Sequence, residues 1–308
     1  MIFMKKITTR LLSLVLLGAF IPSFVLADTW YLDKGDITVN ATGTIQTVTQ
    51  GAAPVEDPNP VITSNGKTEN TVIINAGENA TANVTLENVN IDVSSKSEAA
   101  ITTQGQGNVT LNLSGNNSVQ SGTYHAGVHK ENAGNLTVTT PEGGTGSLKA
   151  TGGDGGAGIG GGGIDGNGNN ITISGGTVVA TGGEYSAGIG GGNSSDNNAS
   201  KITISGGNVT ATGAGSAAGI GGGNGGSGTD IEITGGIVMA TGGEQGAGIG
   251  GGNGGNGSRI TVSGGEVNAA GKDNYDGGGA GIGGGSGGNG SDITVSKGIV
   301  NATGGNYS

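Results

Sequence analysis

"ITISGGTVVATGGEYSAGIGGG", residues 171 to 192, carries three short apolar segments, Ile171-Thr172-Ile173, Val178-Val179-Ala180 and Ala187-Gly188-Ile189, set apart by glycine corners. Inward candidates recur at every second position, the period of a strand with one buried face, and never at helical spacing. Glycine at this density would also penalise a helix by about 1 kcal/mol per position relative to alanine. The stretch therefore predicts three strands joined by tight turns.

The same pattern recurs downstream. Its first segment returns as Ile202-Thr203-Ile204, Ile231-Glu232-Ile233, Ile260-Thr261-Val262 and Ile293-Thr294-Val295, at steps of 31, 29, 29 and 33 residues. Its third returns as Ala218-Gly219-Ile220, Ala247-Gly248-Ile249 and Ala280-Gly281-Ile282. Looser copies start upstream at Val84, Val109 and Leu136. A unit this small cannot bury its own apolar face and must stack on its neighbours.

The fold expected is all-β: a right-handed, single-stranded parallel β-helix with three short strands per coil and about seven or eight coils. Propeller blades need four strands and about 40 residues, more than these units offer. The expected core is Ile171, Ile173, Ile189, Ile202, Ile204, Ile220, Ile231, Ile233, Ile249, Ile260, Ile282 and Ile293, joined by Val178, Ala180 and Ala187. Like residues would stack at about 4.8 Å along the axis.

Three parts of the chain are expected. Residues 1–27 combine Lys5, Lys6 and Arg10 with an apolar run ending in Val25-Leu26-Ala27, the grammar of a secretory signal peptide. This predicts a secreted, extracellular or cell-surface protein with no transmembrane segment. Residues 28–70, with the turn-rich Pro54 to Pro60, are read as an N-terminal cap and first strands, built on Ile37-Thr38-Val39. Residues 71–308 form the helix proper and turn glycine-rich from about 143, and the last coil, with no evident cap, suggests end-to-end self-association.

The formal net charge of −11 becomes −14 once the three cations of residues 1–27 are removed, which disfavours nucleic acid as a partner. With no cysteine anywhere, disulfides, thiolate metal sites and a cysteine nucleophile are excluded. Residues 28–308 contain few aromatics: Trp30, Tyr31, Tyr124, Tyr185, Tyr275 and Tyr307.

Gly246, Gly248 and Gly251 have the G-x-G-x-x-G spacing of dinucleotide sites, as do Gly156, Gly158, Gly161 and Gly279, Gly281, Gly284. No helix follows them, and a pyrophosphate site needs a helix N-terminus, so no nucleotide cofactor is expected. Calcium is the ion considered. Asp165, Asn167 and Asn169 have the spacing of loop oxygen ligands, and Asp230 and Asp292 lie in "GGSGTDIEI" (225–233) and "GGNGSDITV" (287–295), half-matches to a calcium-binding nonapeptide. Asp and Asn are equally good turn residues.

Catalysis is not expected. Polysaccharide lyases and hydrolases on β-helices need clustered carboxylates or a basic residue beside them, and residues 28–308 have a single arginine, Arg259. In Tyr124-His125-Ala126-Gly127-Val128-His129, alternation turns both histidines outward, toward metal, sugar or solvent. The outward column Thr172, Thr203, Glu232, Thr261, Thr294 is broken by an acid, against an ice-binding face but compatible with sugar hydroxyls.

"VTLENVNI" (84–91), "AAITTQGQGNVTLNLSGNNSV" (99–119), "LTVT" (136–139) and "GSLKATGG" (146–153), followed by the "AGIGGG" and "ITISGG" units, resemble the non-catalytic carbohydrate-binding parallel β-helix domains of secreted clostridial and gut-bacterial proteins. The resemblance spans about residues 60–308. It implies a module for plant cell-wall polysaccharide, with polygalacturonate as a ligand class and calcium as a bound ion. The glycine-rich units also resemble those of surface adhesins, which implies a stalk or host-interaction role as the alternative.

Overall fold

The computed structural model describes residues 27–164, 168–193, 198–272 and 277–306. Over them the chain is an all-β parallel β-helix of about nine turns, with one 3₁₀ turn at Leu32–Lys34. No helix among the described residues is long and apolar enough to cross a membrane.

Each regular coil contributes a strand to three faces. In the coil quoted above these are Ile171–Ile173, Thr177–Thr181 and Ile189–Gly190. Each pairs in parallel with its equivalent one coil on: Ile171 with Ile202, Val178 with Val209, Ile189 with Ile220. The corner between the first two faces is a Gly-Gly pair in most late coils. In one early coil it vanishes, and Asn108–Gln120 runs through both faces as a single strand, joining them into one seventeen-stranded sheet.

The inward columns are as expected. Ile171, Ile173, Ile189, Ile202, Ile204, Ile220, Ile231, Ile233, Ile249 and Ile260 are fully buried in one continuous cluster. Two expected core residues depart from this. Ile282 is only partly buried, and Ile293 is 40% exposed although it is in register with Ile260. Period two fixes the direction of a side chain, but burial in a solenoid also needs a coil on both sides. No described coil lies beyond Ile293.

The N-terminal region holds rungs as well as a cap. Thr29–Tyr31 pairs in parallel with Val61–Thr63, and Ile37–Thr42 with Val72–Ala76, so rungs exist well before residue 71, and this raises the number of turns. The cap is instead the antiparallel meander Ile37–Thr42, Ile45–Thr49 and Val55–Glu56 inserted into this early coil. Buried Gln46 locks it by donating to the carbonyls of Asp57, Pro58 and Asn83 and accepting from Asn83 N–H. Buried Asp57 in turn accepts from the Trp30 indole at 2.9 Å.

Glycine has one indispensable column. On the third face Gly160, Gly190, Gly221, Gly250 and Gly283 stack with φ between +131° and +142°. A Cβ at Gly190 would run into the Gly221 carbonyl oxygen, in a conformation L-residues rarely adopt. Upstream the same column holds Thr38, Ile73, Thr102 and His129.

Candidate functional site

The dinucleotide-like glycines are structural. The N–H groups of Gly246, Gly248 and Gly251 donate to the carbonyls of Gly243, Ala280 and Gly283, so each is turned toward backbone rather than toward a phosphate.

Two outer surfaces gather polar or aromatic groups. On the first face Asn83, Thr110, Thr137, Thr172 and Thr203 form an unbroken rank across five coils before Glu232 interrupts it. Asn135 Nδ2 bridges the rank, 2.8 Å from Thr137 Oγ1 and 3.2 Å from Thr172 Oγ1. A groove of about 440 Å³ lies at its start, lined by Ile45, Gln46, Pro58, Asn59, Asn79, Thr81 and Asn83. Only the interrupted half of this rank is visible from the regular repeats, because the upstream coils are irregular in length.

The second surface is the edge where the chain turns from the second face to the third. Tyr124 and Tyr185 sit there at equivalent positions two coils apart, 48% and 39% exposed. Both have positive φ, +69° and +62°, and both rings lie against glycine of the following coil, Gly155 under Tyr124 and Gly215 under Tyr185. A Cβ at either glycine would crowd the Cδ1 side of the ring, so the glycines leave each tyrosine the room it occupies. Two coil steps put the rings roughly 10 Å apart along the axis. Sequence reasoning passed over them, though a signal exists: each tyrosine stands two residues before the Ala-Gly of a third-face strand.

The histidines beside Tyr124 are not both on a solvated strand face. The strand Val128–Lys130 is three residues long, so alternation does not reach His125, and His129 is buried. Its ring occupies room left by the glycines of the next coil, where a Cβ on Gly162 would strike His129 Cε1. His129 Nδ1 faces His125 Nδ1 at 3.2 Å and also lies 3.3 Å from Ala126 N–H. On the other side of the ring, Nε2 is 3.4 Å from Glu131 Oε1, and Gln104 holds the second oxygen of Glu131 at 3.0 Å. Lys130 lies in the inward register of buried Thr103, and desolvation lowers its pKa to about 8. It donates to the Asn132 carbonyl, and the Asn132 side chain bonds Thr103 and the Gly107 carbonyl.

The calcium candidates are not drawn together. Asp165 and Asn167 lie outside the described residues. Asn169 Oδ1 accepts from Ser200 N–H at 2.7 Å and Oγ at 2.9 Å. Asp230 is held by Arg259 in a two-pronged pair, Nε to Oδ1 at 2.6 Å and Nη2 to Oδ2 at 2.8 Å, and the guanidinium lowers the carboxyl's pKa. A cation at Asp230 would have to displace or sit against that guanidinium. Asp230 and Asp292 both belong to a column just before the first-face isoleucine: Asn170, Lys201, Asp230, Arg259, Asp292, all with φ near +50° and alternating in charge from Lys201 on. Among the described residues no three His, Cys, Asp or Glu side chains stand close enough to hold a metal.

Residues 171–193, 202–224, 231–253 and 260–286 match a family described as a beta helix repeat. Each matched stretch opens on the first inward isoleucine of a coil, the unit that the parallel pairing defines. No curated protein and no solved structure matches the chain.

Proposed function

We propose that the chain is a secreted or cell-surface, non-catalytic polysaccharide-binding module whose ligand lies across the coils on the Tyr124–Tyr185 edge. The observation that carries this reading is the pair of exposed rings, each on a positive-φ residue and against a glycine of the next coil, two coil steps apart along the axis. A tyrosine ring offers an apolar face and a wet hydroxyl, the combination suited to the C–H face and hydroxyl rim of a sugar. Little ordering entropy is lost when residues carried on an ordered backbone meet an extended chain. The non-catalytic part of the reading is supported by Arg259, the one arginine of residues 28–308, being committed to Asp230. Secretion is supported by the cationic and then apolar start of the sequence.

At this net charge an acidic glycan such as pectin would be repelled, so its binding calls for a bridging cation, for which calcium is the natural choice. The test is a polysaccharide screen of residues 28–308 with and without calcium, followed by Tyr124→Ala and Tyr185→Ala. Each substitution should weaken the retained glycan by roughly tenfold, and acidic glycans should be released by chelator. If the screen finds no ligand, or if the double tyrosine variant binds as well as the parent, the module reading fails and the chain is better regarded as an adhesin-like stalk.

A further inference from the structure

We propose that His125 and His129 form a binding site for a single divalent transition-metal ion of the zinc, copper or nickel class, held through both Nδ1 atoms. This does not depend on the polysaccharide reading; it rests on the two rings and what surrounds them.

The first argument is the bite. Two imidazole nitrogens bound to one metal at 2.0–2.1 Å, with a tetrahedral angle between them, stand about 3.3 Å apart. The His125 and His129 Nδ1 atoms are 3.2 Å apart with their rings tilted by 49°, a separation that already matches the bite of one tetrahedral ion. In the metal-free protein one proton shared between the two nitrogens satisfies the same distance, and the ion replaces that proton.

The second is the tautomer of His129. Ala126 N–H points at Nδ1, which therefore presents a lone pair, and the ring proton falls to Nε2, 3.4 Å from Glu131 Oε1 in an electrostatic contact without hydrogen-bond alignment. A negative carboxylate beside the far nitrogen of a ligating histidine favours the positively polarised, metal-bound imidazole through its charge. Gln104 fixes that carboxylate in turn. The 3.3 Å contact from Ala126 is long enough to yield to a metal bond.

The third is selectivity. Two neutral nitrogens suit zinc, copper and nickel and are poor ligands for calcium, which takes oxygen. No third His, Cys, Asp or Glu completes the set among the described residues, so the remaining positions fall to water, and half-exposed His125 leaves them open to solvent. Lys130, the nearest cation in sequence, faces the inside of the coil and not this site.

The experiment is calorimetric titration of tag-free protein, stripped with chelator, against zinc, copper, nickel and calcium chlorides at neutral pH. One equivalent of the transition metals should bind and calcium should not. His129 is buried and its replacement endangers the fold, so His125→Ala is the decisive variant; its circular dichroism and melting should match the parent, and its affinity should fall at least tenfold. Glu131→Gln should weaken binding by roughly ten- to a hundredfold. Copper bound to the parent should show two equivalent nitrogens by electron paramagnetic resonance, and one in His125→Ala. Absence of saturable binding, or unchanged affinity and nitrogen count in His125→Ala, overturns the site.

Discussion

The early coils and the glycine-rich coils make the same three-faced turn by different chemistry. Between about residues 61 and 140 the corners are braced by side chains. Asn117 accepts from Val89 N–H and donates to the Ser114 and Ser147 carbonyls, while Ser121 accepts from Ala100 N–H and donates to the Ala126 carbonyl. From about residue 150 the corners around the second and third faces are braced mainly by backbone, as in Gly182 to the Thr212 carbonyl, Gly213 to Thr241 and Gly191 to Gly221. One side-chain ladder persists ahead of the first face, where Ser200, Ser227, Asn256 and Asn289 N–H donate to the side chains of Asn169, Asn198, Ser227 and Asn256 in turn. Side-chain bracing is specific to one coil and leaves an irregular length. Backbone bracing is the same in every coil, but the strands must approach so closely that only glycine fits. The glycine content thus reflects a mode of stacking, and the room beside the tyrosines is one thing that mode makes possible.

The sharpest way to break the comparison is to put one side chain at the same column in both regions. Gly190→Val adds a β-branched residue at φ +131° and drives it into the Gly221 carbonyl. Backbone strain and overpacking together should cost on the order of 5 kcal/mol, enough to unfold many domains. Thr102→Val, in the same column but in the early region, should change stability by less than about 0.5 kcal/mol. Denaturant unfolding of the two variants measures the contrast; equal losses would mean the two regions do not differ in this way.

Next in size is the core. Ile220→Ala, fully buried with a coil on each side, should cost about 2–5 kcal/mol by denaturant midpoint. Ile293→Ala, in an equivalent inward role but 40% exposed, should cost less than half as much. Comparable losses at the two sites would indicate that something covers the last described coil in solution.

This contrast marks how far the sequence could be read. The inward columns follow from a period of two, which is local, so Ile171 through Ile260 were legible. Exposure of Ile293 was not, because it depends on the presence of a neighbouring coil. First strands were legible before residue 71, but not the parallel pairing of Thr29–Tyr31 and Ile37–Thr42 as rungs, because the Ile45–Glu56 meander is inserted between Ile37–Thr42 and the strands that follow. The half of the threonine rank from Asn83 to Thr137 was hidden by uneven coil lengths. Burial of His129 was hidden because its cause, the missing side chain of Gly162, lies a coil away. The spacing of Asp230 suggested a calcium loop, while the residue that claims it, Arg259, is its neighbour only after the chain has gone once around.

The smallest effect concerns the inside of the early region, where among the described residues a cation, Lys130, is buried. The interior of the glycine-rich coils is isoleucine, valine and alanine, whereas Lys130 is buried near Thr103 and Asn132 with desolvation as the cause of its depressed pKa. Its folded value, about 8, lies below its ordinary value of 10.5. The unfolded chain therefore binds the proton more tightly, and the burdened state is the charged one, fully present below pH 8. Stability should rise as pH increases from about 8 to 10.5, because the folded lysine becomes neutral first. Lys130→Met removes the charge while keeping an unbranched apolar stem, and should stabilise the protein by roughly 1–3 kcal/mol at pH 7. It should also flatten the rise between pH 8 and 10.5. Denaturant midpoints of parent and variant across that range are the check. If the parent shows no excess rise over the variant, the Lys130 ammonium has found a compensating partner, and the early coils carry their cation at no expense to the fold.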